Sequence, residues 1–158
     1  MTILVTGAAG NVGAELVRIL LADGRSVRAL SRSKSPSGVP AGAEIVTGDL
    51  ADRRSLVDAI SGVDAAFLLA GYPDLPGILA DLRAASAGRV VLLSSGAVDG
   101  GDPDNYVVHY NAESESAVRE SELSWTILRP SGFMSNTLQW RINSLPETRW
   151  WSPSPMYP

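Results

Sequence analysis

Gly7, Gly10 and Gly13 stand three residues apart, directly after the apolar run Thr2-Ile3-Leu4-Val5. That spacing suits one kind of chemistry, the holding of a pyrophosphate. Phosphate oxygens need backbone N–H groups that approach with no Cβ in the way, and the positive end of a helix dipole behind them. Gly7 permits the tight turn after a strand, Gly10 lets the backbone close on phosphate, and Gly13 lets the following helix pack onto a sheet. Ala9, Asn11 and Val12 complete the same turn. Val12, Leu16, Ile19 and Leu20 then recur at helical spacing, so the glycines lie between a strand and a helix, the context in which the pattern carries weight. A nucleotide site is expected there.

The type of nucleotide is read just after the second strand. A carboxylate at that place hydrogen-bonds ribose hydroxyls, whereas a 2′-phosphate requires cations. Here the strand runs into Ser31-Arg32-Ser33-Lys34 with no acid. Arg32 can fork onto a phosphate and Lys34, the only lysine in the chain, can add a point charge. NADP(H) is therefore expected over NAD(H). Asp49 and Leu50, after the third strand, fall where an adenine edge would lie. Leu69, Ala70 and Gly71 end the fourth strand and approach the adenosine and second ribose, because ligands of such sheets bind at the carboxyl ends of parallel strands.

The elements that must position these residues follow from the apolar pattern. Strands are expected at Val27–Leu30, Glu44–Thr47, Val63–Leu69, Arg89–Leu93 and Trp125–Leu128, besides the first. Helical spacing marks Ser55–Ser61, with Leu56, Val57 and Ile60 turned inward, then Leu75, Ile78, Leu79 and Leu82, and a polar helix over Ala112–Ser121. Apolar runs without alternation, separated by helices, imply parallel strands covered on both faces. Right-handed crossovers then give an α/β doubly wound sheet in the order 3-2-1-4-5-6. The pattern ends near residue 140. Residues 141–158 carry Pro146, Pro153, Pro155 and Pro158, which argue against a helix or central strand, so 1–140 reads as the folded domain and 141–158 as a tail. That tail is either disordered or docks through Trp150 and Trp151, with Trp140, on the core or on a neighbouring subunit.

Composition excludes several classes. With 158 residues the chain is one domain by length. A net charge of −4 without a basic run speaks against nucleic acid. The absence of cysteine removes disulfides and thiolate metal sites, and the single histidine, His109, cannot build a multi-histidine centre. No stretch approaches the roughly 18 apolar residues of a membrane span. The chain opens on a core strand, so no signal peptide is expected and the reading is a cytoplasmic protein.

In combination, the Thr6–Gly13 turn, Ser31–Lys34, Gly48-Asp49-Leu50, Gly62-Val63-Asp64, Trp125-Thr126-Ile127-Leu128-Arg129-Pro130 and Ser131–Asn136 resemble the atypical short-chain dehydrogenase/reductases. The likeness is to the NmrA-like NAD(P)H-binding family in particular, over about residues 1–140. The resemblance implies that Pro130 and Phe133 lie near a nicotinamide. It also puts Ser94 and Ser95 at the serine position after strand five, Ser95 as a catalytic candidate and Ser94 as a cofactor-binding one. Members of that family include NADPH-dependent quinone and isoflavonoid-type reductases, and regulators that bind dinucleotide without turning it over. Two departures stand out. The Tyr/Lys pair of short-chain dehydrogenases falls near Val107 and Asn111, and no lysine follows Lys34, so Tyr106, His109 or Tyr110 would have to supply the proton, His109 first among them. Family members also continue past this length, which leaves the edge at strand six to the tail or a second subunit, or marks a shortened relative. Three readings result. One is an NADPH-dependent oxidoreductase on a small carbonyl or quinone, with a homodimer formed through helices Leu75–Ala85 and Ala112–Ser121. The others are a non-catalytic NAD(P)H-binding module and a relative that keeps only the fold.

Overall fold

Every strand of the sheet is parallel to its neighbours, and the order is the doubly wound one. The computed structural model describes residues 1–139. The tail with Trp140, Trp150 and Trp151 lies outside the described residues. Strands β1 (Thr2–Val5), β2 (Ser26–Ser31), β3 (Glu44–Thr47), β4 (Ala65–Leu69), β5 (Arg89–Leu93) and β6 (Ser124–Leu128) form one sheet in the order β3-β2-β1-β4-β5-β6. Helices α1 (Asn11–Ala22), α2 (Val57–Ile60), α3 (Leu75–Ala84) and α4 (Tyr106–Glu120) make four of the crossovers with short 3₁₀ turns, and residues 32–43 connect β2 to β3 without a helix.

Side-chain alternation splits the core in two. Leu4, Leu30, Ala66, Leu68, Val90 and Leu92 pack with α2, α3 and Val118 of α4. Val5, Ala29 and Phe67 face the other way, against Val17 of α1. Each central strand therefore feeds both layers, which is why its sequence reads as a continuous apolar run. The two edge strands are less covered than the central ones. β3 and β6 are mostly exposed, with Ile45, Trp125 and Leu128 partly in solvent. Trp125 is shielded from above by the Arg119 guanidinium, 5.7 Å from the ring centroid.

Local chemistry sets the element ends. Helix α1 closes where Gly24 takes φ 72°, its N–H donating to the Leu21 carbonyl while Arg25 N–H donates to Leu20. Its inward face runs through Gly13 and Val17, so Ile19, expected inside, turns outward. The segment expected as one helix over Ser55–Ser61 is a 3₁₀ turn, Arg53–Leu56, followed by α2, and Val57 is 69% exposed while Leu56 and Ile60 are buried. Asn105 caps α4 by accepting from Val107 N–H at 2.9 Å, and the helix begins at Tyr106 rather than at Ala112. Its buried face is Val108, Asn111, Ser114, Glu115 and Val118, three of the five polar, so hydrophobic periodicity alone misses the first turns.

Thr6 ties the glycine turn to the sheet. The side chain is fully buried; its hydroxyl donates to the Phe67 carbonyl at 2.9 Å and accepts from Leu69 N–H at 3.2 Å. Thr6→Val keeps the shape but strands the Leu69 donor, so a loss of about 1–2 kcal/mol is expected. Thr6→Ser should restore most of it. Chemical denaturation of both variants checks this, and an unchanged midpoint for the valine variant would refute it.

Candidate active-site cleft

The glycine turn leaves little room for side chains, least at Gly7 and Gly13. Gly7 takes φ 62°, and Gly10 N–H donates back to the Gly7 carbonyl at 2.9 Å. A Cβ on Gly13 would lie 2.1 Å from that same carbonyl oxygen, and one on Gly10 would lie 3.2 Å from it. Helix α1 thus sits directly on the turn, with its first N–H groups at the strand end, the arrangement that attracts an anion.

A cleft of ≈ 810 Å³ opens at the carboxyl ends of the strands. The whole turn from Gly7 to Gly13 forms one wall. Leu30 to Ser33 and Gly48 to Ala51 close the side toward β2 and β3. Leu69, Tyr72, Leu93, Phe133, Ser135 and Asn136 close the other. Of the residues expected from sequence, Gly7, Ala9, Gly10, Asn11, Val12, Gly13, Arg32, Asp49, Leu50, Leu69 and Phe133 come together here. Lys34, Ala70, Gly71, Ser94 and Pro130 are not among the lining residues, nor are Ser95 and His109.

Each lining group is held by something specific. Ser31 Oγ accepts from Ser33 N–H and Ser33 Oγ accepts from Ser35 N–H, so successive hydroxyl turns shape the loop that carries Arg32 and Lys34. Arg32 is exposed and makes no hydrogen bond or ion pair among the described residues. Asp49 accepts from Ala51 N–H at 2.9 Å, and its own N–H donates to Ser55 Oγ at 2.8 Å. Ser95 caps the turn Gly96–Val98 by accepting from Ala97 N–H.

His109 lies elsewhere. It is exposed, 3.2 Å from Glu113, and lines a second cavity of ≈ 370 Å³ with Gly71, Tyr72, Tyr106 and Tyr110. Tyr72 lines both spaces. At the positions of the missing Tyr/Lys pair, Val107 is exposed, and buried Asn111 spends its amide on the Val107 carbonyl at 2.8 Å.

Ser94 has a different neighbour from the one its position in the sequence suggests. It is 5% exposed and donates to Glu115 Oε1 at 2.7 Å. Arg129 takes the same carboxylate with both arms, Nε at 2.8 Å and Nη2 at 2.5 Å, and Arg119 adds a bond of 2.9 Å. Arg129 also pairs with Asp99. These donors, Arg129 foremost, hold the Glu115 carboxyl down to about 2 against the opposing effect of burial. Sequence reasoning missed Glu115, and Tyr72, Leu93, Ser135 and Asn136 as well. The only sequence signal for Tyr72 was its place directly after Gly71. Among the described residues no three His, Asp or Glu side chains converge as a metal site, and no helix is long and apolar enough to cross a membrane.

Comparison with known proteins agrees with this geometry. Residues 7–147 match the family model described as NAD(P)H-binding. The (4-alkanoyl-5-oxo-2,5-dihydrofuran-3-yl)methyl phosphate reductase of Streptomyces griseus is 42% identical over 142 residues, 87% of this chain and 50% of the relative. The NAD(P)H azoreductase of Xenophilus azovorans is 32% identical over 144 residues, again 87% of this chain and 50% of the relative. A short-chain dehydrogenase/reductase superfamily protein from Agrobacterium tumefaciens, solved with bound NAD, superposes with a TM-score of 0.67 at 29% identity, over 82% of this chain and 48% of that one. The chain spans about half the length of the curated relatives it matches.

Proposed function

The chain belongs to the NAD(P)H-binding family, which contains oxidoreductases, and from that premise we propose that it is an NADPH-dependent oxidoreductase. In this reading it is of the NmrA-like short-chain dehydrogenase/reductase type and reduces a small carbonyl or quinone. One observation carries the reading: a single cleft joins the Gly7–Gly13 turn to Arg32 on one side and to Phe133 on the other. When bound, the cofactor supplies a hydride at its nicotinamide carbon; the chain's own part is to hold and orient. The turn from Gly7 through Ala9, Gly10, Asn11 and Val12 to Gly13 takes the pyrophosphate. Arg32 forks onto the 2′-phosphate, with Lys34 adding charge from the same loop. Asp49 and Leu50 flank the adenine. Leu69, Ala70, Gly71 and Ser94 serve the second ribose, and Pro130 and Phe133 the nicotinamide. Ser95 orients the substrate, and His109 gives a proton to a substrate that reaches it past Tyr72. Residues 1–140 are the cofactor domain and 141–158 a tail, in a cytoplasmic homodimer paired through α3 and α4, with no nucleic-acid partner.

A second reading has its own support. Val107 and Asn111 stand where the proton-transferring pair would be, and His109 faces the second cavity. A module that binds NADPH without transferring hydride fits those facts.

Calorimetric titration with NADPH and NADH, on the natural chain and on Arg32→Ala, tests the cofactor assignment. NADPH should bind more tightly, and removal of Arg32 should cost about 10- to 100-fold for NADPH alone, the value of one or two charge-assisted hydrogen bonds. Equal affinities before and after the substitution would refute the phosphate reading. Oxidation of NADPH by a panel of carbonyls and quinones then separates the enzyme from the binding module.

A further inference from the structure

Glu115 of α4 binds the residues that directly follow β5 and β6, Ser94 and Arg129. We propose that Glu115 is a positioning residue for the nicotinamide side of the dinucleotide, clamping the carboxyl ends of β5 and β6 together from α4. The proposal rests on the reading of the cleft as a dinucleotide site. Doubly wound sheets bind one nucleotide on each side of the point where strand order reverses, here between β1 and β4. Arg32, Asp49 and Leu50 lie on the β2–β3 side, so the other nucleotide falls on the β4–β6 side, where Leu93, Phe133, Ser135 and Asn136 line the cleft.

Both strand ends on that side terminate on Glu115. Ser94 follows Leu93 directly and donates to Oε1; Arg129 follows Leu128 directly and donates to both carboxylate oxygens. The backbone completes the clamp, with Ser94 N–H donating to the Leu128 carbonyl at 2.8 Å and Gly96 N–H to that of Pro130 at 2.9 Å. Arg129 reaches on to Asp99, at the end of the turn after β5. The Glu115 side chain is 1% exposed. A charge so enclosed is tolerated only where donors surround it, and the same donors are thereby fixed in place. An amide in its place would turn a donor toward Ser94 or the arginines and lose part of the network. The consequence is a displacement of the β5 end, whose Leu93 lines the cleft, and of the segment after β6 that carries Phe133, with no change at the glycine turn or Arg32.

This separation defines the experiment. Glu115→Gln is titrated with NADPH and with adenosine 2′,5′-bisphosphate, which carries the adenosine half and no nicotinamide. NADPH affinity should fall about tenfold, the worth of one well-placed contact, while the bisphosphate stays within about twofold. Arg129→Lys, which keeps the charge but loses the fork, should show the same selective loss and carries the test where Glu115→Gln does not fold. An equal loss for both ligands would reveal a merely structural role and overturn the inference, as would no loss for either. A natural chain that binds neither ligand removes the cofactor reading and this inference with it. A natural chain that binds both, with no selective loss in the variants, removes this inference alone.

Discussion

Gly13→Ala should abolish NADPH binding and cost on the order of 3 kcal/mol of stability, at the upper end of the range for overpacking. The added Cβ would stand 2.1 Å from the Gly7 oxygen and 2.7 Å from its carbon, both backbone atoms. Gly7 has nowhere to go. Its carbonyl already accepts from Gly10 N–H, its φ is left-handed, and the Leu69 side chain closes the space where a Cβ would sit, 2.8 Å away. Relief must come from lifting α1 off the sheet, which moves the helix N-terminus and the Gly7–Gly13 wall of the cleft together. Gly24→Ala is the control. It meets nothing within 4 Å, so only the left-handed φ of 72° is strained, a cost of about 1–2 kcal/mol, and binding should survive. Denaturation and calorimetry on the two variants decide the matter. A Gly13→Ala chain that binds NADPH with natural affinity would show that α1 is not seated on the turn as described.

The same glycine explains what was legible in the sequence. Gly7, Gly10 and Gly13 declare their role because backbone geometry, not a partner, demands them. The central strands declare theirs because burial on both faces leaves unbroken apolar runs such as Val90–Leu93. Partner-dependent features stay hidden. Nothing in Ser94-Ser95 says that one hydroxyl will find Glu115 and the other will cap a turn. Tyr106–Tyr110 holds β-branched and aromatic residues of modest helix propensity, yet Asn105 caps it and Val108 and Asn111 bury their face of it. Trp125 and Leu128 are apolar yet lie partly in solvent, since the strand order puts β6 at an edge but does not state how far its faces are covered. Arg32 and Lys34, one serine apart, look equivalent on paper. The Ser31–Ser33 turn carries Arg32, which lines the cleft, and the Ser33–Ser35 turn carries Lys34, which is not among the lining residues.

The loss of the buried charge should leave a signature in pH as well as in binding. The Glu115 carboxyl is held at about 2 in the folded chain, against 4.5 for the free group. A carboxyl depressed by folding contributes stability that is fully present above its unfolded value and disappears as pH falls through its folded value. The natural chain should therefore lose this contribution between about pH 4.5 and pH 2. Its full size is on the order of 3 kcal/mol. Glu115→Gln cannot titrate there. It should be the less stable protein by about that amount at pH 7, with the gap shrinking to about 1 kcal/mol at pH 3. Urea denaturation of both proteins at the two pH values measures the difference. A gap that stays constant with pH would mean that shape alone, not the charge held by Arg129, Ser94 and Arg119, makes the residue matter. A shrinking gap would mean that the ends of β5 and β6 are joined electrostatically. On that account acid should loosen the β5–β6 side of the cleft before the glycine turn, whose contacts are made by backbone and do not titrate.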